Sequence, residues 1–125
     1  MQRLTHHPLV SVIIPVYNVA PWVEHAIESI LCQTYKNLEA IIIDDGSTDN
    51  TAQIVNNIKD PRVRLISTDH RGLFCALNTG IAEANGKYIA RMDGDDISHP
   101  YRIEKQIDVM EKNQDCLKHG KRMDF

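Results

Sequence analysis

Three carboxylates, Asp93, Asp95 and Asp96, fall within four residues in the run Ala90-Arg91-Met92-Asp93-Gly94-Asp95-Asp96. Two such charges about 4 Å apart repel by roughly 4 kcal/mol at an effective dielectric near 20. A folded chain that gathers them needs something to offset the repulsion, and a hard divalent cation is the usual answer. Mg²⁺ or Mn²⁺ held by one or two carboxylates completes its shell with water and a substrate diphosphate. Gly94 is expected to let the backbone turn tightly between the acids. A lone Asp-Gly-Asp is more often a solvated acidic turn, so the rest of the chain has to decide.

Two further polar clusters are Pro15-Val16-Tyr17-Asn18 and Asp44-Asp45-Gly46-Ser47. A carboxylate such as Asp44 or Asp45 can accept a hydrogen bond from a nucleobase or a ribose. Tyr17 offers a flat face for a base, although a half-buried loop aromatic would read the same way. Arg71, in the loop Thr68–Gly72, has the reach to meet a diphosphate; an isolated Arg is also commonly plain surface. Arg91 is unusual inside a strand pattern, and either pairs with the acidic rim or lies on the polar side. The chain has no G-x-G-x-x-G and no Walker-type loop. Phosphates would therefore be held through a metal and not by a nest of backbone amides.

The elements that must position these clusters follow from hydrophobic period. Leu9–Pro15 is a β-branched run that reads as a buried strand, and Pro15 ends it. Pro21 suits a first helical turn, and Val23, Ala26, Ile27, Ile30 and Leu31 then recur at helical spacing. Leu38–Ile43 is a second buried strand leading into the Asp44 cluster. Ser47, Thr48 or Asp49 can cap a helix carrying Ile54, Val55 and Ile58. Val63–Ser67 is a third strand. A helix with Leu73, Leu77, Ile81 and Ala84 follows, then a fourth strand at Gly86–Ile89. After Pro100 a last helix carries Ile103, Ile107 and Met110, and 113–125 has no clear period. This β-α-β-α-β-α-β-α order predicts an α/β fold, a three-layer α/β/α sandwich on a mostly parallel sheet. Ligands of such sheets lie outside the carboxyl ends of the strands, where all three clusters fall.

The 125 residues suffice for one domain with a real core. Fourteen basic against seventeen acidic residues give a net charge of -3, with no Lys/Arg block. That argues against nucleic acid as a partner. The three cysteines, Cys32, Cys75 and Cys116, form no Cys-x-x-Cys pair, which fits a reduced, cytoplasmic setting. No run reaches the length of a membrane span, and the first residues lack a signal-peptide pattern.

The sequence resembles the family 2 glycosyltransferases, with their GT-A nucleotide-sugar-binding fold. Val12–Asn18 looks like the family's opening strand and loop, and Ile43–Asp49 is similar to its second-strand signature. Ala76–Ile81 resembles the helix before the metal strand, and Ala90–Asp96 looks like the Asp-x-Asp motif. Order and spacing agree over about residues 10–112. The resemblance implies a nucleotide-diphospho-sugar donor, usually a UDP-sugar, and transfer of its sugar with inversion to an acceptor hydroxyl. Pro15, Tyr17, Asp44 and Asp45 would line the nucleoside pocket, with Arg71 near the base or diphosphate. Asp93 and Asp95 would hold Mg²⁺ or Mn²⁺ through the diphosphate, with Asp95 or Asp96 closest to the ion. A hexosyltransferase of cell-envelope polysaccharide biosynthesis is implied, cytoplasmic or peripheral at the inner face of the membrane, with a glycan, lipid-linked or protein acceptor.

The resemblance has one gap. Family members carry their catalytic base, an Asp or Glu, well beyond the Asp-x-Asp motif, and Glu104, Glu111, Asp115 and Asp124 match no such motif. Residues 1–125 therefore read as a single, truncated glycosyltransferase domain with its core at about 9–112. Such a chain is either the donor half of an enzyme whose base lies beyond residue 125, or a binding module without turnover. Uncovered apolar surface would then favour self-association. A receiver-like phosphoacceptor fold also alternates β and α, but wants an acidic pair where Pro15–Asn18 stands. A sugar-phosphate nucleotidyltransferase would want a glycine-rich opening loop.

Overall fold

The computed structural model describes residues 7–112 and the backbone of 123–124. Strands β1 (Val10–Val16), β2 (Leu38–Asp45), β3 (Val63–Thr68), β4 (Tyr88–Arg91) and β5 (Met123–Asp124) form one sheet in the order β3-β2-β1-β4-β5. Every pairing is parallel. The helices are α1 (Val23–Leu31), α2 (Thr51–Asn56), α3 (Leu73–Glu83) and α4 (Arg102–Lys112).

Side chains alternate across a strand, and the β-branched runs split accordingly. Val10, Val12, Ile14 and Val16 of β1 join Ala40 and Ile42 of β2 in a core closed by α1, α2 and α4. Ile13, Ile41, Ile43 and Ile89 point to the other face, where Ala76 and Ala84 bracket α3. These are the three expected layers. Gly80 brings α3 close to the sheet: a Cβ there would stand 2.5 Å from Ile13 Cγ2.

Several boundaries differ from the sequence reading: β1 continues past Pro15 to Val16, and β4 spans Tyr88–Arg91 and not Gly86–Ile89, its register set by pairing with Val10–Ile13. β2 runs on through Asp44 and Asp45, which pair with Ser67 and Thr68 of β3. The acids belong to the strand because β3 is long enough to satisfy their backbone. The segment 113–125 contributes β5, whose Met123 and Asp124 pair with Tyr88 and Ile89. Cys116 and Asp115 lie outside the described residues. Several apolar side chains face outward, Phe74 and Ile97 most of all at 81% and 72% exposure. Among the described residues no helix is long and apolar enough to cross a membrane.

Candidate donor-binding site

The strand order reverses at β1: the chain moves outward through β2 to β3, then returns over the sheet to β4. Crevices outside the carboxyl ends of strands form at such a reversal. Here the loops after β1, β2, β3 and β4 share that rim, and hydrogen bonds stitch them together.

The loop after β1 is held by the Asp44–Thr51 segment. Asn18 adopts φ 53, a left-handed conformation that Asn tolerates. Its Oδ1 accepts from Thr48 N at 2.8 Å and Asp49 N at 3.3 Å, and its own N–H donates to Ser47 Oγ at 3.0 Å. Val19 N donates to Thr51 Oγ1 at 3.1 Å. Of the expected caps for α2, Asp49 accepts from Thr51 N at 3.0 Å. The polar residues after β2 thus fix the placement of Tyr17.

The two acids of β2 do different work because consecutive residues face opposite sides. Asp44, on the α1 side, is buried and closes its own turn by accepting from Ser47 N at 3.0 Å. Asp45, on the α3 side, is buried and accepts from Arg71 N at 2.8 Å and Gly72 N at 3.0 Å. Gly72 is the N-cap of α3 and has φ 97, so Asp45 supplies the acceptor that the cap lacks. His70 Nδ1 lies 3.0 Å from Asp45 Oδ2, and the His70 ring stacks on Tyr17 with centroids 4.2 Å apart. Pro15, Tyr17, Asp45, His70, Leu73 and Ala76 line a cavity of about 210 Å³.

The acidic loop abuts the same place. Met92 N donates to Ile13 O at 3.1 Å, extending the β1–β4 pairing. A Cβ on Gly94 would stand 2.7 Å from Val16 Cγ1 and 3.1 Å from Val19 Cγ2. Gly94 does not have a positive φ. The expected tight turn is present, with Asp96 N donating to Asp93 O at 3.1 Å around Gly94 and Asp95, and the glycine also allows the close approach to β1. Oxygens of Asp93, Asp95 and Asp96 lie within 4.8 Å of one another, all three residues exposed. An octahedral ion with bonds of about 2.1 Å spans roughly 4.2 Å between opposite ligands, so small rotations of these exposed side chains would bring the oxygens onto one ion. The donor set is all hard oxygen, which suits Mg²⁺ or Mn²⁺.

Two arginines border the cluster. Arg91 Nη2 lies 3.6 Å from Asp93 Oδ1, so it pairs with the acidic rim. Arg102 donates to Ser98 Oγ at 3.0 Å and Arg91 O at 2.8 Å. Burial lowers its guanidinium pKa, and Asp96 nearby pulls in the opposite direction. The loop is anchored from behind by Gln33, which is fully buried. Gln33 Nε2 donates to Ser29 O at 2.9 Å and His99 O at 2.8 Å, and Gln33 Oε1 accepts from Ile103 N at 3.1 Å.

Of the residues singled out from sequence, Pro15, Tyr17 and Asp45 meet at the cavity, and Asp93, Asp95 and Asp96 meet at the loop. Arg71 does not join either group by its side chain. Its guanidinium is 69% exposed, sits 3.9 Å from Asp69, and lines a separate groove between β3 and α3. Asp44 does not line the cavity but shapes the turn below it. Sequence reasoning missed His70 and Gln33. A ring next to Arg71 at a strand's carboxyl end was the available signal for His70; for Gln33 nothing local gave one.

A model of the family described as Glycosyl transferase family 2 matches residues 11–123. The chain belongs to that family. Two relatives are uncharacterized glycosyltransferases. One, from Rickettsia felis, is 45% identical over 119 residues, covering 94% of this chain and 20% of the relative. Another, from Haemophilus influenzae, is 44% identical over 116 residues, covering 90% and 46%. The chain spans less than half the length of these curated relatives.

Solved glycosyltransferase structures share the fold. The S. aureus TarS fragment 1-349 in complex with UDP-GlcNAc superposes with a TM-score of 0.77 at 24% identity, over 82% of this chain and 31% of that one. The mannosyltransferase PcManGT from Pyrobaculum calidifontis, in complex with GDP-Man and Mn²⁺, gives 0.69 at 35% identity, over 74% and 29%. The sandwich is accordingly a GT-A glycosyltransferase fold.

Proposed function

We propose that this chain is the donor-binding part of a metal-dependent, inverting glycosyltransferase of the hexosyltransferase type that uses a UDP-sugar. One observation carries the reading: two unlike sites share a rim. One is a small cavity walled by rings and apolar groups; the other is three converging carboxylates. A nucleoside suits the first, and a cation bridging to a diphosphate suits the second. The Mn²⁺ bound together with a nucleotide-sugar by the Pyrobaculum mannosyltransferase supports the metal bridge by analogy, its nucleotide being GDP.

In this reading Pro15, Tyr17 and Asp45 wall the nucleoside, and Asp44 holds the turn beneath. Asp93 lies between nucleotide and metal, with Asp95 or Asp96 nearest the ion. Bound Mg²⁺ or Mn²⁺ would stabilise the leaving diphosphate as a Lewis acid. Arg71 would reach the diphosphate by turning from Asp69. The acceptor hydroxyl attacks the anomeric carbon with help from a general base, which we place outside residues 7–112. Glu111 pairs with Lys87 and Tyr88 at the far end of β4, and Glu104 lies in the first turn of α4. The commitment of Glu111 at the far end of β4 favours a second reading in which this chain alone binds the donor without transfer.

The test is calorimetric titration of UDP with Mn²⁺ and again with EDTA, for the parent chain and Asp95→Ala. Binding should need the cation and weaken in the variant. Equal affinity with and without metal overturns the bridge, and tighter binding of GDP overturns the uridine assignment. Release of UDP from UDP-sugars, with glycan, lipid-linked and peptide acceptors, separates the two readings. Acceptor-dependent turnover by this chain would locate a base within it.

A further inference from the structure

The three carboxylates stand on the loop that follows β4. The turn from Asp93 O to Asp96 N and the approach of Gly94 to Val16 and Val19 shape its middle. Its two ends are joined by Arg102, the first residue of α4. Arg102 Nη2 donates to Arg91 O at 2.8 Å, where β4 ends, and Nη1 donates to Ser98 Oγ at 3.0 Å, where the loop closes. Ser98 Oγ in turn donates to Met92 Sδ at 3.0 Å, and Ser98 N donates to Ser29 Oγ of α1 at 3.0 Å. A single guanidinium thus spans the mouth of the loop, and its planar fork fixes the separation of the two groups it bridges. Arg102 is itself held: its N donates to His99 O at 3.0 Å, and the next residue, Ile103, donates to buried Gln33 at 3.1 Å. Together with Asp93 and Asp96 it lines a cavity of about 380 Å³.

We infer that Arg102 is a positioning residue: by clasping both ends of the loop it keeps Asp93, Asp95 and Asp96 converging on one cation. This rests on the proposed metal bridge and adds the residue that gives the site its shape. Charge and geometry act in opposite directions here. A guanidinium near the carboxylates repels a divalent cation, so if charge were its whole effect, removing it would tighten metal binding. The three carboxylates also repel one another, and an unclasped loop would let them spread. Groups that orient metal ligands from behind typically contribute about ten- to a hundred-fold to metal affinity. The clasp outweighs the charge, and loss of Arg102 weakens the site. A lysine would keep the charge, but its single nitrogen on a flexible stem cannot bridge Arg91 O and Ser98 Oγ as a planar fork does.

The experiment titrates Mn²⁺ by calorimetry, in the presence of UDP, into the parent chain, Arg102→Met, Arg102→Lys, Ser98→Ala and Glu39→Gln. Arg102→Met and Arg102→Lys should both lose about ten-fold in Mn²⁺ affinity. Ser98→Ala, which removes one of the two bridged groups, should lose less. Glu39→Gln alters the opposite end of the sheet, beside Ser11, and should bind Mn²⁺ like the parent although it is less stable. Parent-like or tighter binding by Arg102→Met overturns the inference. So does parent-like binding by Arg102→Lys, which would make the charge and not the fork the active feature. An equal loss in Glu39→Gln and Arg102→Met would make general destabilisation the cause and overturns it too. Should Arg102→Met not fold by circular dichroism, parent-like affinity in both Arg102→Lys and Ser98→Ala overturns it. All of these leave the donor site standing. If the parent binds UDP equally with Mn²⁺ and with EDTA, the metal bridge fails and this inference with it.

Discussion

Replacing Asp45 by Ala should destabilise the fold, and the loss can be worked from its bonds. The carboxylate accepts from two backbone amides, at 2.8 and 3.0 Å, at the start of α3. Hydrogen bonds to a charged group contribute about 1.5–3 kcal/mol each. Removing a helix cap by itself costs about 0.5–2 kcal/mol. Both amides lie at a helix terminus, where water can partly replace the acceptor, so the sum belongs at the lower end, about 2–4 kcal/mol. For a domain of this size that is roughly a 10 °C fall in Tm. Urea unfolding followed by circular dichroism, for Asp45→Ala and Asp45→Asn, gives the numbers directly. Asp45→Asn keeps one acceptor and should lose about half as much. A loss under about 1 kcal/mol in Asp45→Ala would refute the reasoning. It would mean that the amides are indifferent to the carboxylate and that Asp45 is free to serve a ligand.

Three other outcomes are expected. Gly94→Ala should keep the fold at a cost of about 1–3 kcal/mol, since its Cβ would meet Val16 at 2.7 Å; calorimetry should show weakened Mn²⁺ binding as the acidic loop lifts away. Glu39 faces the opposite effects of burial, which raises its pKa, and of bonds from Ser11 and Asn85 with Arg64 nearby, which prevail and hold it below 4.5. Its contribution is therefore fully present above pH 4.5 and fades as pH falls through the folded value, so the stability gap between the parent and Glu39→Gln should narrow in urea melts from pH 6 to pH 3. Gln33→Ala removes the partner of Ser29 O and His99 O and strands the buried Ile103 N, the last at roughly 1–3 kcal/mol; a lower Tm and looser protection of the first turn of α4 in hydrogen exchange should follow.

The strands were legible because β-branched runs covered on both faces leave an unbroken apolar signal. Leu38–Ile43 is such a run, and only its end was misplaced. Asp44 and Asp45 carry turn-forming side chains, yet their backbone is claimed by Ser67 and Thr68, a partner 23 residues away in sequence for each. The acidic motif was legible as a cluster and as a turn at Gly94, but the space that Gly94 yields to Val16 was not, because local sequence carries no such distance. Gln33 was illegible for the same reason, a buried amide joining the end of α1 to α4 with no local sign of its partners; His70 was signalled only by its place beside Arg71 at a strand's carboxyl end, and its stacking on Tyr17 was not. Arg71 shows the reverse: its type suited a diphosphate, but its backbone N–H and not its guanidinium is what Asp45 uses.

The two faces of the sheet are unequally protected. Among the described residues, eighteen buried residues form the core beneath α1, α2 and α4, against six under α3 alone. The first turn of α3 is also thinly covered, with Leu73 and Phe74 at 45% and 81% exposure. Regions with few buried contacts open at lower free energy than the whole molecule. α3 can therefore detach while the larger core persists, and its start carries the loop with His70, Arg71 and Gly72. The acidic loop, tied through Gln33 to the larger core, would stay in place during such an opening. The rim would then open at the cavity beside Tyr17 while the carboxylate cluster kept its shape.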